Sequence, residues 1–251
     1  MENASKDTWY AIGGSSSLYP GDVQPVHLLR VERVVWRDGT GKSHVWHNRC
    51  IHRGMRLQYG FVDGDRLACR YHGWRFAGDG KCAYIPAHPD MTPPDDFCVS
   101  SSPAAEAAGL IWTTIGSPAG PPPDLSEFST LTFCRSIAIN CAPAVVEAHA
   151  TATQFAPFAA ATPATSFSSR HPAPGVIVVE ADSGEALVLA VQPASNVKTH
   201  LHILSTAPVA GADIPVLRRH VSAWARQFRW RVENRVDQAH TETETAREPR
   251  R

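Results

Sequence analysis

At 251 residues the chain is long enough for one large or two modest domains with real cores. Its 24 Lys and Arg balance 24 Asp and Glu, so it lacks the basic excess that nucleic-acid binding needs. No stretch approaches 18 apolar residues and Met1–Asp7 is polar and acidic, so we expect neither a membrane span nor a secretory leader, and a cytoplasmic protein. Residues 8–12 read as a short edge strand, and Val26–Leu29 and Arg33–Trp36 as strands rich in Val and Leu. Asp38-Gly39-Thr40-Gly41 is a turn into a further strand, Ser43–His47. More turns fall at Tyr59-Gly60, Asp63-Gly64-Asp65 and Asp79-Gly80, with strands at Arg66–Cys69 and Gly73–Phe76 and a last one at Leu110–Ile115. So many short strands and glycine turns predict a small all-β antiparallel domain over residues 1–120. Pro86–Pro94 reads as an ordered loop covering it, and Ser117–Pro123 as a linker.

A second domain, 121–251, opens with a strand at Leu131–Cys141. Ala144–Phe158 is alanine-rich and predicts a helix broken by Pro157. Val176–Glu180, Ala186–Val191 and Lys198–Ser205 read as strands. From Ile214 to Val236 the pattern turns helical, with Val216, Val221, Trp224, Phe228 and Val232 as the apolar stripe, and the last dozen residues are expected to fray. Strands followed by one long helix predict an α+β domain.

Cys50-Ile51-His52 and Cys69-Arg70-Tyr71-His72 carry the chemistry. Each loop offers one thiolate and one imidazole. A zinc finger usually pairs Cys with Cys and His with His, whereas here each half-site mixes them, C-x-H then C-x-x-H. That is the ligand arrangement of a Rieske [2Fe-2S] centre, with two thiolates on one iron and two imidazoles on the other. Structural zinc and unliganded side chains are the other two readings. Cys82, Cys98, Cys134 and Cys141 are scattered without paired spacing and read as reduced thiols.

The segments Trp46–Gly54 and Leu67–Phe76, with Asp79–Ala87 after them, resemble the Rieske domain of non-haem iron aromatic-ring oxygenases. The branch most similar acts as demethylases and monooxygenases without a small β subunit. One departure is Ile51, where that family has proline. The resemblance implies a [2Fe-2S] cluster on Cys50, His52, Cys69 and His72, with Arg53, Tyr71 and Trp74 around it. Trp74 would pack over the cluster or relay electrons, and Arg53 and Arg70 would form either a docking surface for an acidic reductase or ferredoxin or a plain solvated face. The resemblance also implies a helix-grip second domain, here shortened, in which two His and one carboxylate hold a mononuclear iron. On the placement Glu147–Ala159, Gln154 and Ala159 stand where the family has its two His and Thr151 where it has a bridging Asp. Asn234 stands in place of the distal Asp. All three ligand positions have lost their ligand chemistry, so a mononuclear iron is not expected.

His200 and His202, two apart on a strand, face one side and could make a replacement triad with His149 or Glu147; a solvated sheet face is the plainer reading. His171 reads as a surface loop residue. The family assembles in rings of three, where one subunit's cluster serves its neighbour's iron. The expected function is therefore a subunit that transfers electrons to, or scaffolds, a catalytic oxygenase subunit in aromatic compound catabolism. Two alternatives are an active oxygenase with an unrecognised iron site and a stand-alone ferredoxin-like carrier.

Overall fold

The structure is a computed structural model that describes the backbone of residues 5–160 and 162–245, and side chains as far as Asn234. The first four residues of the polar N-terminus, and residues 246–251 of the end expected to fray, lie outside the described residues. The chain divides into two compact units, with the boundary between Leu125 and Ser126.

In the first unit the strands are β1 (Tyr10–Gly14), β2 (Val23–Leu28), β3 (Val31–Arg37), β4 (Ser43–His47), β5 (Phe61–Asp63) and β6 (Arg66–Ala68). They continue as β7 (Arg75–Phe76), β8 (Cys82–Tyr84), β9 (Ser101–Ser102), β10 (Ala104–Ala107) and β11 (Leu110–Thr113). All pair antiparallel, in three sheets ordered β1-β11-β10, β2-β3-β4-β9 and β5-β6-β7-β8. The run Val34-Val35-Trp36 is apolar throughout because both faces of its strand are buried. Val34, Trp36 and Trp46 point into a core shared with Cys50, Leu57, Leu67, Cys69 and Phe76. Val35 and Val45 point the other way, onto Ile12, Val26 and Ile111. Cys50 and Cys69 are thus part of a hydrophobic core. The proline-rich stretch expected to link the domains is tied to this unit: Ser117 N–H donates to Asp7 Oδ1 (2.8 Å) and Trp9 Nε1–H to the Gly120 carbonyl (2.8 Å).

The second unit holds β12 (Thr132–Ile139), α1 (Pro143–Thr151), β13 (Phe167–Ala173), β14 (Val176–Ala181), β15 (Ala186–Ser195), β16 (Lys198–Ser205) and α2 (Ile214–Thr245). Its antiparallel sheet runs β12-β16-β15-β14-β13. One face, carrying Ile139, Ile177, Leu189, Leu201 and Ile203, packs on Val146 and Ala150 of α1 and on Leu217, Val221, Trp224, Phe228 and Val232 of α2. Among the described residues no helix is long and apolar enough to cross a membrane.

Four details differ from the sequence reading. Helix α1 stops at Thr151, well before Pro157, because burial then alternates: Thr153, Phe155 and Pro157 are buried while Gln154 and Ala156 are exposed. A period of two belongs to an extended segment. Strand β13 has almost no buried side chain, and Pro172 sits where its register with β14 shifts, so neither alternation nor composition marks it. The α2 stripe starts at Leu217; Val216, five residues before Val221, is off the stripe and exposed. The helix also runs on to Thr245, since no Gly or Pro interrupts it.

Candidate metal centre

Cys50 and Cys69 each open a tight loop, and the two loops close identically. Cys50 N–H donates to the Met55 carbonyl (2.8 Å) and Gly54 N–H to the Cys50 carbonyl (2.9 Å); Cys69 N–H donates to Trp74 (2.8 Å) and Gly73 N–H to Cys69 (2.9 Å). Gly54 and Gly73 both sit at a φ of +70°, where a side chain is strained. At Gly73 a Cβ would also come within 2.9 Å of Pro86 Cγ, so the proline loop seals the second turn.

The first loop is clamped from outside by residues that sequence spacing does not mark. Gln58 N–H donates to Asn48 Oδ1 (2.9 Å), and the Asn48 amide donates back to Gln58 Oε1. Glu32 accepts from Arg49 Nη2 (3.2 Å) and from Arg56 Nη2 (2.8 Å), joining residues on either side of the loop. Only the pairing of β3 with β4 brings Glu32 there, one residue beyond the Arg33–His47 pair.

The two sulfurs are buried at the loop roots, Cys50 3% and Cys69 2% exposed, while His52 and His72 reach the surface with ring centroids 4.6 Å apart. A hydrogen bond between the thiols pushes Cys50 up, with burial adding to it, and holds Cys69 below the usual thiol range. His52 is lowered by desolvation and by the neighbouring His72 and Arg53, which favours the neutral ring that a metal accepts. Trp74 lies parallel to the His52 ring at 4.6 Å, and Tyr71 lies 3.9 Å from His72. Arg53 and Arg70 are exposed beside them.

Among the described residues, no three His, Cys, Asp or Glu side chains meet at a single ion position. Tetrahedral zinc takes four ligands at one point, whereas a Rieske cluster asks each iron for two protein ligands. Two paired thiols in a dry core and two adjacent imidazoles at the surface fit the second pattern. A family model for the Rieske [2Fe-2S] domain matches residues 8–100.

This chain carries a Rieske [2Fe-2S] domain. Its relatives include oxygenase subunits and an oxidoreductase. It is 36% identical over 149 residues to the oxidoreductase NdmD of Pseudomonas putida, covering 59% of this chain and 25% of that one. It is 32% identical over 140 residues to the 5,5'-dehydrodivanillate O-demethylase oxygenase subunit of Sphingobium sp. strain SYK-6, covering 54% of this chain and 33% of that subunit. The matched stretch thus spans a quarter to a third of these curated relatives. In fold the chain is similar to dicamba monooxygenase bound to dicamba, with a TM-score of 0.74 at 17% identity over 98% of this chain and 92% of the other. NdmA of P. putida CBB5 is similar with a TM-score of 0.65 at 22% identity, over 85% and 77%.

Beyond the Rieske domain, the positions read as former iron ligands have other contacts. Gln154 is exposed, and its carbonyl accepts the Trp224 indole N–H (2.9 Å). Ala159 is exposed, its N–H held by Glu185 Oε2 (3.0 Å). Asn234 lies ten residues beyond Trp224, about 15 Å further along α2, and its amide donates to the Trp230 carbonyl (2.8 Å). The Thr151 hydroxyl lies 2.9 Å from the Glu147 carbonyl and 3.2 Å from His171 Nε2. His171 is on the edge strand β13 rather than in a loop.

His202 is not on a solvated face. It is 1% exposed, with Nδ1 2.7 Å from Ser136 Oγ and Nε2 2.8 Å from Gln192 Oε1. Both ring nitrogens therefore face protein partners, as in a satisfied core histidine. His200 and His149 are half-buried. Of the other cysteines, Cys82, Cys134 and Cys141 are buried and Cys98 is exposed, and all are free.

Proposed function

We propose that this chain is a Rieske oxygenase subunit that accepts electrons at Cys50, His52, Cys69 and His72 and delivers them to, or scaffolds, a separate catalytic non-haem iron subunit. The observation that carries this reading is an asymmetry between the two units. The first has a complete two-loop centre, and the second has Gln154, Ala159 and Asn234 where the resemblance expects two His and a carboxylate.

When bound, the cluster supplies one-electron transfer. The protein supplies the rest. Cys50 and Cys69 anchor one side of the site in a dry core, and the loops carry His52 and His72 to the surface, where a partner can approach closely. Exposed Ile51 and Tyr71 flank the imidazoles with apolar surface, while Arg53 and Arg70 add positive charge that suits an acidic reductase or ferredoxin. The second unit, in this reading a shortened helix-grip domain, would hold the chain in a mixed ring built on threes. A cytoplasmic setting and an aromatic substrate of the partner subunit complete the proposal.

Co-expression with an intact oxygenase chain tests it. The two should co-purify, and His52→Ala should abolish turnover by the assembled complex. A monomer that co-purifies with no oxygenase chain would instead favour a free electron carrier, a reading that the likeness to an oxidoreductase supports. Oxygen consumption with a reductase and a substrate, without a second oxygenase chain, would make the chain an oxygenase in its own right.

A further inference from the structure

We infer that Trp74 is a positioning residue for the His52 ligand, and that its stack on the imidazole lowers the reduction potential of the centre. This rests on the Rieske reading of the site. The indole and imidazole planes differ by 5° and their centroids lie 4.6 Å apart, an offset parallel stack. An imidazole that gives its lone pair to a metal ion carries part of the ion's positive charge. The indole face is the negative pole of the ring quadrupole and attracts that charge, more so in the oxidised centre than in the reduced one. The stack therefore favours oxidation.

The indole is held in place from two sides. Phe97 stacks on Trp74, at 5.5 Å and 18°. The Trp74 carbonyl also accepts the Cys69 N–H that closes the second loop (2.8 Å). A residue of the second loop thus fixes a ligand of the first and locks the two together. His72 has a different neighbour. Tyr71 is adjacent in sequence, tilted by 32° rather than parallel, and 58% exposed. The two imidazoles are inequivalent, and the rigid stack is on His52.

The test is a dithionite titration of purified full-length protein at one pH, followed by visible absorption and electron paramagnetic resonance, with iron content measured in parallel. Trp74→Leu should make reduction about tenfold more favourable, about 59 mV upward for one electron. Trp74→Phe, which keeps a ring face, should recover at least half of that shift. Tyr71→Leu should move the potential by less than Trp74→Leu does. An unmoved potential in Trp74→Leu, or equal shifts in the Leu and Phe variants, would overturn the inference. Should Trp74→Leu lose its iron, Phe97→Leu reads the same stack without touching a ligand. A smaller upward shift there supports the inference, and no shift overturns it. The wild-type spectrum separates the two readings: without a Rieske signal the site assignment itself fails, whereas a Rieske signal with an unmoved variant fails only this inference.

Discussion

Gly54 and Gly73 stand at equivalent places in two loops of different lengths of ligand spacing, and their surroundings make them unequal. Both need a left-handed backbone, which costs a side chain about 1–2 kcal/mol. Gly54 has open space where a Cβ would go, whereas Gly73 faces Pro86 Cγ at 2.9 Å. Gly54→Ala should therefore keep its cluster with a modest loss of thermal stability, and Gly73→Ala should lose most of it. Absorption per mole of folded protein reads the difference; equal retention would mean that Pro86 does not seal the second loop. The four ligands were legible in sequence because their spacing is local: each Cys reaches its own His within one turn. Glu32 and Gln58 were not, because they reach the first loop only through strand pairing and the fold of the following turn. Local chemistry is written in the chain in order, while its support comes from far along it.

At the scale of elements, the hairpin of β3 and β4 turns on Asp38. Its carboxylate accepts N–H bonds from Thr40 (2.9 Å) and Lys42 (3.0 Å) and lies 2.9 Å from His44 Nε2, with the His44 ring stacked on Trp36 at 4.3 Å. Burial alone would raise its pKa, but the bonds from His44, Thr40 and Lys42 outweigh it and bring the group from 3.8 to about 2. A depressed pKa means stability that is fully present above 3.8 and lost as the pH falls towards 2. A shift of this size is worth about 2 kcal/mol. Asp38→Asn should cost about that much at pH 7, and the stabilities of variant and wild type should converge between pH 4 and pH 2. Urea unfolding followed by tryptophan fluorescence checks both points, and a gap that persists at pH 2 would show that lost shape, not lost charge, is responsible. Glu185 plays a comparable part in the second unit, where its carboxylate accepts the Phe158 and Ala159 N–H groups (2.8 and 3.0 Å) and pins the extended stretch after α1. Glu185→Ala removes the acceptor of two N–H groups, one on half-buried Phe158 and one on exposed Ala159, and so frees this stretch from the sheet. It should speed proteolysis within residues 152–166 without changing Rieske absorption. Short apolar runs rich in β-branched residues, bounded by turn residues, made β3, β4 and β14–β16 readable. The exposed β13 and the end of α1 were not, since one has no apolar face and the other changes period without a breaker.

The whole molecule presents one unit whose chemistry is concentrated and another whose chemistry is dispersed. The helix-facing side of the second sheet is aliphatic, from Ile139 to Ile203, and the histidine on its other face, His202, has both nitrogens turned to Ser136 and Gln192. Binding a metal there would cost the contacts that His202 makes with Ser136 and Gln192. Gln154 lies against Trp224 of α2, Ala159 against Glu185, and Asn234 about 15 Å along the helix from Trp224, so restoring a ligand at one position does not by itself rebuild a triad. The expected composition of purified protein is about two iron and two acid-labile sulfides per chain, the content of a Rieske cluster alone. A ratio of about three iron to two sulfide would mean that a 2-His-1-carboxylate or similar site is assembled from residues read here as structural. Such a third iron should then vanish in His202→Asn if the buried histidine is its ligand, while the Rieske absorption stays. If it survives that change, ligands must come from elsewhere in the second unit, and the subunit should be assayed with reductase and oxygen as an oxygenase rather than as a partner of one.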